Sequence, residues 1–224
     1  MYGINNAYHI VNVVRPVSHT TVARISDAVC MKGYHHADVI IEVGAHGSTG
    51  TTVIRLDQMS LVDTAGTTTL PIVDYYVSGG KIFVTNWNGT AWSGDELVTG
   101  ATLSASLEEF CGNYMTVFDM ITGVVAAETI TGGTSGATAV AVNAYEYEDV
   151  MIKRVAASDT FTISITDNVT YVIPIAATSF TDGYDVFHVD VEACSTSTVL
   201  MSATAILYKG RYMGADTPIS PIYD

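Results

Sequence analysis

Residues 39–54 run VIIEVGAHGSTGTTVI. A run of apolar β-formers enters a loop with three glycines and leaves through a second β-forming run. Loops of this kind often cradle phosphate, so the stretch separates a nucleotide enzyme from a plain bend between strands. A phosphate loop needs backbone N–H groups and a helix N-terminus aimed at the anion, with a lysine reaching the β and γ phosphates. Gly44, Gly47 and Gly50 fit neither GxxxxGK[ST] nor GxGxxG, and Thr51 stands where the lysine would follow. The exit, Thr51-Thr52-Val53-Ile54-Arg55-Leu56, is rich in β-branched residues and does not open a helix. The stretch therefore reads as strand, glycine bend and strand.

The same texture runs through most of the chain. Short runs of Val, Ile, Thr and Tyr are cut by Gly, Asn and Asp, which marks an all-β sandwich or jelly roll with little helix. Strands are predicted over 8–14, 18–25, 37–43, 51–59, 70–77, 81–86, 150–155, 160–165, 169–175, 186–193 and 199–208. A short helix or turn is predicted over 106–111, because Leu103, Leu107 and Phe110 fall at helical spacing before Gly112 interrupts them. Phe187, Val189 and Val191 alternate with His188, Asp190 and Glu192, the period of a strand with one wet face.

The middle of the chain differs. Residues 78–147 hold both tryptophans, many glycines and a weak internal repeat: the spacing of DELVTGATLSA recurs, with Glu96, Thr99, Gly100, Thr102 and Ala105 aligning on Glu128, Thr131, Gly132, Thr134 and Ala137 over 95–105 and 127–137. Each copy reads as strand, tight glycine turn, strand. The region is expected to be a small β module inserted between the two halves, 1–77 and 148–224, of an outer β-sandwich domain. A set of long hairpins in a single domain is the alternative.

Composition narrows the function. Only 14% of residues are charged against 48% hydrophobic, so much of the surface must be Thr, Ser, Asn, Gly and apolar atoms, as suits a protein that lives against other proteins. The net charge is −14 with nine Lys and Arg, which leaves no basic patch for nucleic acid or for an anionic membrane surface. No signal peptide is visible at the start and no apolar run is long enough to span a membrane. Cys30, Cys111 and Cys194 are too few and too far apart for a disulfide framework or a zinc pattern and are expected to be buried thiols.

No constellation with a catalytic mechanism stands out. GxSxG is absent, and His46 near Ser48 is proximity in sequence and not a triad. His35 and His36 are adjacent, so on a strand they point to opposite faces. His188, Asp190 and Glu192 share a face and would need a paired strand's histidine to hold a divalent ion, so a solvated face is the preferred reading and no metal or cofactor is expected. The pairs Asp95-Glu96 and Glu108-Glu109, and the cluster 146–149, read as solvated turns or strand ends. Trp87 and Trp92, beside Asn86 and Asn88, are the candidate glycan- or protein-contact residues, with Trp87-Asn88-Gly89-Thr90 as a hairpin turn over packed aromatics the simpler reading.

Several segments resemble structural proteins of tailed-bacteriophage virions. The second repeat, 128–140, is similar to a glycine-turn β motif of such proteins, and segments 34–44, 52–58, 185–192 and 205–211 resemble small virion proteins with a β-sandwich or jelly-roll fold. The resemblance implies a capsid decoration or cement protein with no catalytic residues, bound to the major capsid protein on the outer head surface after synthesis in the host bacterial cytoplasm. It implies a homo-oligomer, with a trimer matching local capsid symmetry. The expected contacts are an N-terminal arm with Tyr2, Ile4 and Tyr8, and a C-terminal tail with Thr217, Pro218, Ile219, Pro221, Ile222 and Tyr223, whose prolines exclude helix. A tail, neck or fibre component, or a module binding carbohydrate or a host surface, is the alternative.

Overall fold

The computed structural model describes residues 8–19, 22–46, 52–60, 67–122, 124–142, 146–156, 158–163, 169–194, 198–210 and 222–223. Among these the chain is all β, with a single 3-10 turn at Ala177–Ser179. It divides into two compact units, the first from Met1–Tyr76, Arg154–Ile163 and Thr170–Asp224 and the second from Val77–Lys153 with Ser164–Val169.

The first unit is a sandwich of two antiparallel sheets. In one sheet β1 (Tyr8–His19), β17 (Val199–Gly210), β4 (Tyr34–His46) and β15 (Val169–Ala176) are neighbours in that order. In the other the order is β3 (Ala28–Cys30), β16 (Val186–Val191), β5 (Thr52–Met59) and β14 (Thr160–Ile163). The short strands β2 (Arg24–Ile25) and β6 (Thr68–Leu70) add to β16 and β5, and β18 (Ile222–Tyr223) pairs with β3. The chain changes sheet at nearly every connection, and its first long strand lies beside its last. That is the strand order of a jelly roll, two Greek keys laid face to face.

Alternation explains the packing of this unit. Val39, Ile41 and Val43 on β4 and Ala203, Ala205 and Leu207 on β17 point inward, as do Ile54 and Leu56 on β5 and Phe187, Val189 and Val191 on β16. All are buried, which supplies the apolar burial that holds two sheets together. The strand–bend–strand reading of 39–54 holds at both flanks, since β4 reaches His46 and β5 starts at Thr52, in different sheets. Residues 47–51 of that bend lie outside the described residues.

Strand β7 (Asp74–Thr85) carries the chain into the second unit, and β13 (Glu146–Val155), which pairs with β7, leads it out. Between them lie β8 (Leu97–Thr99), β9 (Ser104–Phe110), β10 (Tyr114–Thr122), β11 (Thr129–Gly132) and β12 (Thr138–Ala141). The ladder runs β7-β10-β9-β8-β11-β12 and returns to β7 through Val140↔Thr85 and Ala141↔Val84. The sheet therefore closes into a small barrel without edges. Its lumen is filled by Ile82, Val98, Leu107, Met115, Val117, Ile130 and their neighbours.

Two expectations from the sequence are corrected. The helix or turn predicted over 106–111 is strand β9: Leu103, Ala105 and Leu107 face the lumen at a two-residue period, and the helical spacing of Leu103, Leu107 and Phe110 is coincidental. Gly112, at φ +77°, makes the β9–β10 turn. The wet face predicted for β16 is dry, because every residue from Val186 to Val191 is buried.

Candidate functional site

Strand β1 ends its sheet, and its outer side pairs with no strand among the described residues. Its first half carries Tyr8, 51% exposed, and Ile10, 60% exposed. Side chains of alternate residues form cross-strand rows on the outer face. Tyr8, Tyr208 and His36 make one row, and Ile10, Ile206 and Asp38 the next. The Tyr8 ring lies 6.3 Å from that of Tyr208, which stacks on His36 at 5.5 Å. Tyr208 donates its hydroxyl to Asp38 Oδ1 at 3.3 Å. Burial, opposed by that bond and by His36, holds the Asp38 carboxyl above its ordinary value. Burial, reinforced by the Asp38 charge, does the same to Tyr208. Further along β1, Arg15 and Pro16 are exposed, and the register to β17 slips between Val14 and Val17. A charge, a proline and a bulge are the usual devices that blunt an edge, so the flat, apolar part is confined to 8–12.

The structure places the other expected contact residues as follows. Tyr2, Ile4, Thr217, Pro218, Ile219 and Pro221 lie outside the described residues. Ile222 and Tyr223 form β18, opposite Val29 and Ala28 of β3. In the barrel unit, Trp87 is 44% exposed and lies 5.2 Å from the Phe110 ring, with Trp92 5.6 Å from the same ring. Residues 87–90 do not join paired strands, since β7 and β8 are not neighbours, so the hairpin expected there is instead part of a long connection. Asn88 Oδ1 accepts from Thr90 N at 3.0 Å, and Trp87 donates its indole N–H to Thr90 O at 2.7 Å. The indole edge is thereby used internally, and its face is what remains to be met.

Two sets of buried charges went unseen in the sequence. On β5 and β16, Arg55 donates to Asp57 Oδ2 at 3.0 Å and to Asp190 Oδ2 at 2.5 Å, while its Nε faces Asp57 Oδ1 at 3.0 Å without a well-aligned bond. His188 Nε2 lies 3.4 Å from Asp57 Oδ2. The hydrogen bond and charge of Asp57, against the effect of burial, raise the Arg55 guanidinium further. Among the described residues no group of three or more His, Cys, Asp or Glu is placed to hold a metal ion. Cys30 and Cys194 are buried and Cys111 half-buried, all free thiols.

The second set is in the barrel. Glu96, expected to be solvated, is 4% exposed and Glu128 6% exposed. Glu96 accepts from the backbone N–H of Ser93, Thr134 and Ser135 and from the Ser135 hydroxyl at 2.7–3.0 Å. Glu128 accepts from the N–H of Thr102, Leu103 and Val125 and from the Thr102 hydroxyl at 2.8–3.4 Å. Burial alone would raise both carboxyls, but these donors outweigh it and hold both below the ordinary glutamate value. Glycine is required beside each: a Cβ on Gly100 would lie 2.4 Å from Glu128 Oε2, and one on Gly132 2.6 Å from Glu96 Oε2.

No family model matches the chain, and no curated protein matches it. Among solved structures the chain is similar to the crystal structure of the infectious bursal disease virus VP2 subviral particle, with 8% identity over 96% of this chain and 84% of that chain. The TM-score is 0.21, and a likeness that weak carries no argument. No helix among the described residues is long and apolar enough to cross a membrane.

Proposed function

We propose that the protein is a structural component of a tailed-phage virion that decorates and cements the head, binding the major capsid protein on the outer surface. The observation that carries this reading is the half-open edge of β1, with Tyr8 and Ile10 exposed beside the aromatic row. An extended segment of a capsid subunit would add to that edge by main-chain hydrogen bonds and bury the two side chains. Apolar burial contributes roughly 25 cal/mol per Å² before association costs, so one such contact is weak. Many identical contacts on a symmetric lattice add by avidity, and a homotrimer on local capsid symmetry would multiply them further. Jelly rolls serve capsids, lectins and cupins alike, so the fold is compatible with this role without fixing it. The reading involves no direct contact with nucleic acid or membrane, in keeping with the net charge of −14.

The test is the copy number per particle, by quantitative mass spectrometry of purified virions against the major capsid protein. Copies near a simple fraction of the shell subunits support cementing. A dozen or fewer move the protein to the neck, tail or fibre, and absence from particles overturns both. The second reading, a module that binds carbohydrate or a host surface, rests on the exposed face of Trp87 above Phe110. Undiminished binding to host cells by a Trp87→Ala, Trp92→Ala double variant removes it.

A further inference from the structure

The barrel has an internal twofold that its hydrogen-bonding register makes explicit. Strands β8 and β11 pair antiparallel with Thr131 opposite Thr99 and Gly132 opposite Val98. Thr131 is the repeat equivalent of Thr99, so each copy meets the same residue of the other at the axis. The hairpins β8–β9 and β11–β12 flank this seam. The seam itself is short, two register pairs and one further bond from Gly133 N to Leu97 O at 2.8 Å. Glu96 stands just before β8 and accepts from the turn that follows β11; Glu128 stands just before β11 and accepts from the turn that follows β8. Because the strands are antiparallel, the two carboxylates sit at opposite ends of the same seam, each bridging from its own repeat to the other.

We infer that Glu96 and Glu128 are a pair of latches holding the β8–β11 seam shut, and that the seam is a built-in opening line of the barrel, released when both carboxylates take up protons. The geometry supplies the reason. A carboxylate is an acceptor at both oxygens, and each of these two faces only N–H and O–H donors. A proton on either group sets a donor among backbone N–H groups in a nearly buried site, with only the single hydroxyl able to turn and accept it. Among the described residues no basic side chain bonds to either carboxylate: β8, β11 and β12 carry no titratable residue, β9 carries Glu108 and Glu109, Lys81 of β7 lies over the Tyr114 ring of β10, and Asp95 precedes Glu96 in an exposed position. The β9–β10 seam is longer, pairing from Met115↔Phe110 to Thr122↔Ser104, and β12–β7 is as short, at Val140↔Thr85 and Ala141↔Val84, but neither glutamate carboxylate bridges it. Opening at β8–β11 uncovers Val98 and Ile130, which are otherwise fully buried.

The test is amide hydrogen exchange on the full chain carrying Glu96→Gln and Glu128→Gln, which keep the shape of the protonated acid at neutral pH. The amides of Thr99, Thr131 and Gly133, which point across the seam, are expected to exchange about tenfold faster or more, measured relative to β16 in the same sample. A Thr99→Cys, Thr131→Cys disulfide across the seam is expected to restore protection, since directly opposed antiparallel residues are close enough to bridge. Unchanged protection of the seam in the glutamine pair overturns the inference. If that variant does not fold, an acid titration of the natural chain decides: loss of seam protection before the β9–β10 hairpin supports the latches, and loss of both together overturns them.

Discussion

The jelly roll and the barrel bury charge in opposite ways. On β5 and β16 of the jelly roll, Asp57 and Asp190 share the Arg55 guanidinium, and strand pairing brings the three together from positions 135 residues apart in the case of Arg55 and Asp190. In the barrel, Glu96 and Glu128 have no cation among their bonding partners and are held by backbone N–H groups alone with one hydroxyl each. An ion pair tolerates movement, because a guanidinium can follow a carboxylate. A carboxylate held by fixed N–H groups cannot be followed, so the turn and the side chain stand or fall together. The difference teaches where each unit is vulnerable: the jelly roll to loss of a partner, the barrel to loss of a proton acceptor.

The largest expected effect separates the units by their cores. Phe187→Ala, which empties a fully buried site between the sheets, is expected to cost the jelly roll about 3–5 kcal/mol, and chemical denaturation followed by exchange at β16 and β9 would show whether the barrel survives it. Glu96→Ala leaves the N–H groups of Ser93, Thr134 and Ser135 unpaired, and a loss of about 3 kcal/mol confined to the barrel is expected. Equal loss in both units would break the contrast. Arg55→Ala is expected to cost about 2 kcal/mol, a figure reduced for the partial exposure of the arginine. Acid sharpens the comparison further. Because both glutamates titrate below their ordinary value when folded, their contribution is complete above about pH 4.5 and is lost as pH falls through the lowered values. Circular dichroism across that range is expected to show the barrel transition moving in the natural chain and not in Glu96→Gln, Glu128→Gln. The smallest effect on folding is at the edge: Ile10→Lys is expected to change stability by less than about 0.5 kcal/mol while abolishing retention on capsids in a co-sedimentation assay.

Most strands could be read from the chain because alternation survives wherever one face is buried and the other is not, as on β4, where Val39, Ile41 and Val43 alternate with Asp38, Ile40 and Glu42. The same rule failed on β16. Its second face is also buried: His188 lies against Asp57, and Asp190 is bonded by Arg55, whose position opposite it depends on register and not on sequence distance. The aligned Glu96 and Glu128 were visible as a repeat. Their role was not, because each bonds to a turn 38 or 26 residues away in the other copy. A cue existed in the glycines that follow four positions later, whose missing side chains leave room for a carboxylate. Tyr8 is expected from the sequence as a contact of the N-terminal arm, but Ile10 reads as an ordinary strand member, since nothing local distinguishes the last strand of a sheet from an inner one.

The bulge and proline in the second half of β1 bear on how the molecule is stored before it is used. A protein made in many copies with a long bare strand would template its own fibres. With only five residues of edge on offer, pairing between free copies would be brief, whereas on the proposed cementing role a strand presented at a fixed place by a rigid lattice would be bound. On that role the same short socket would limit self-association and tie attachment to an organised surface.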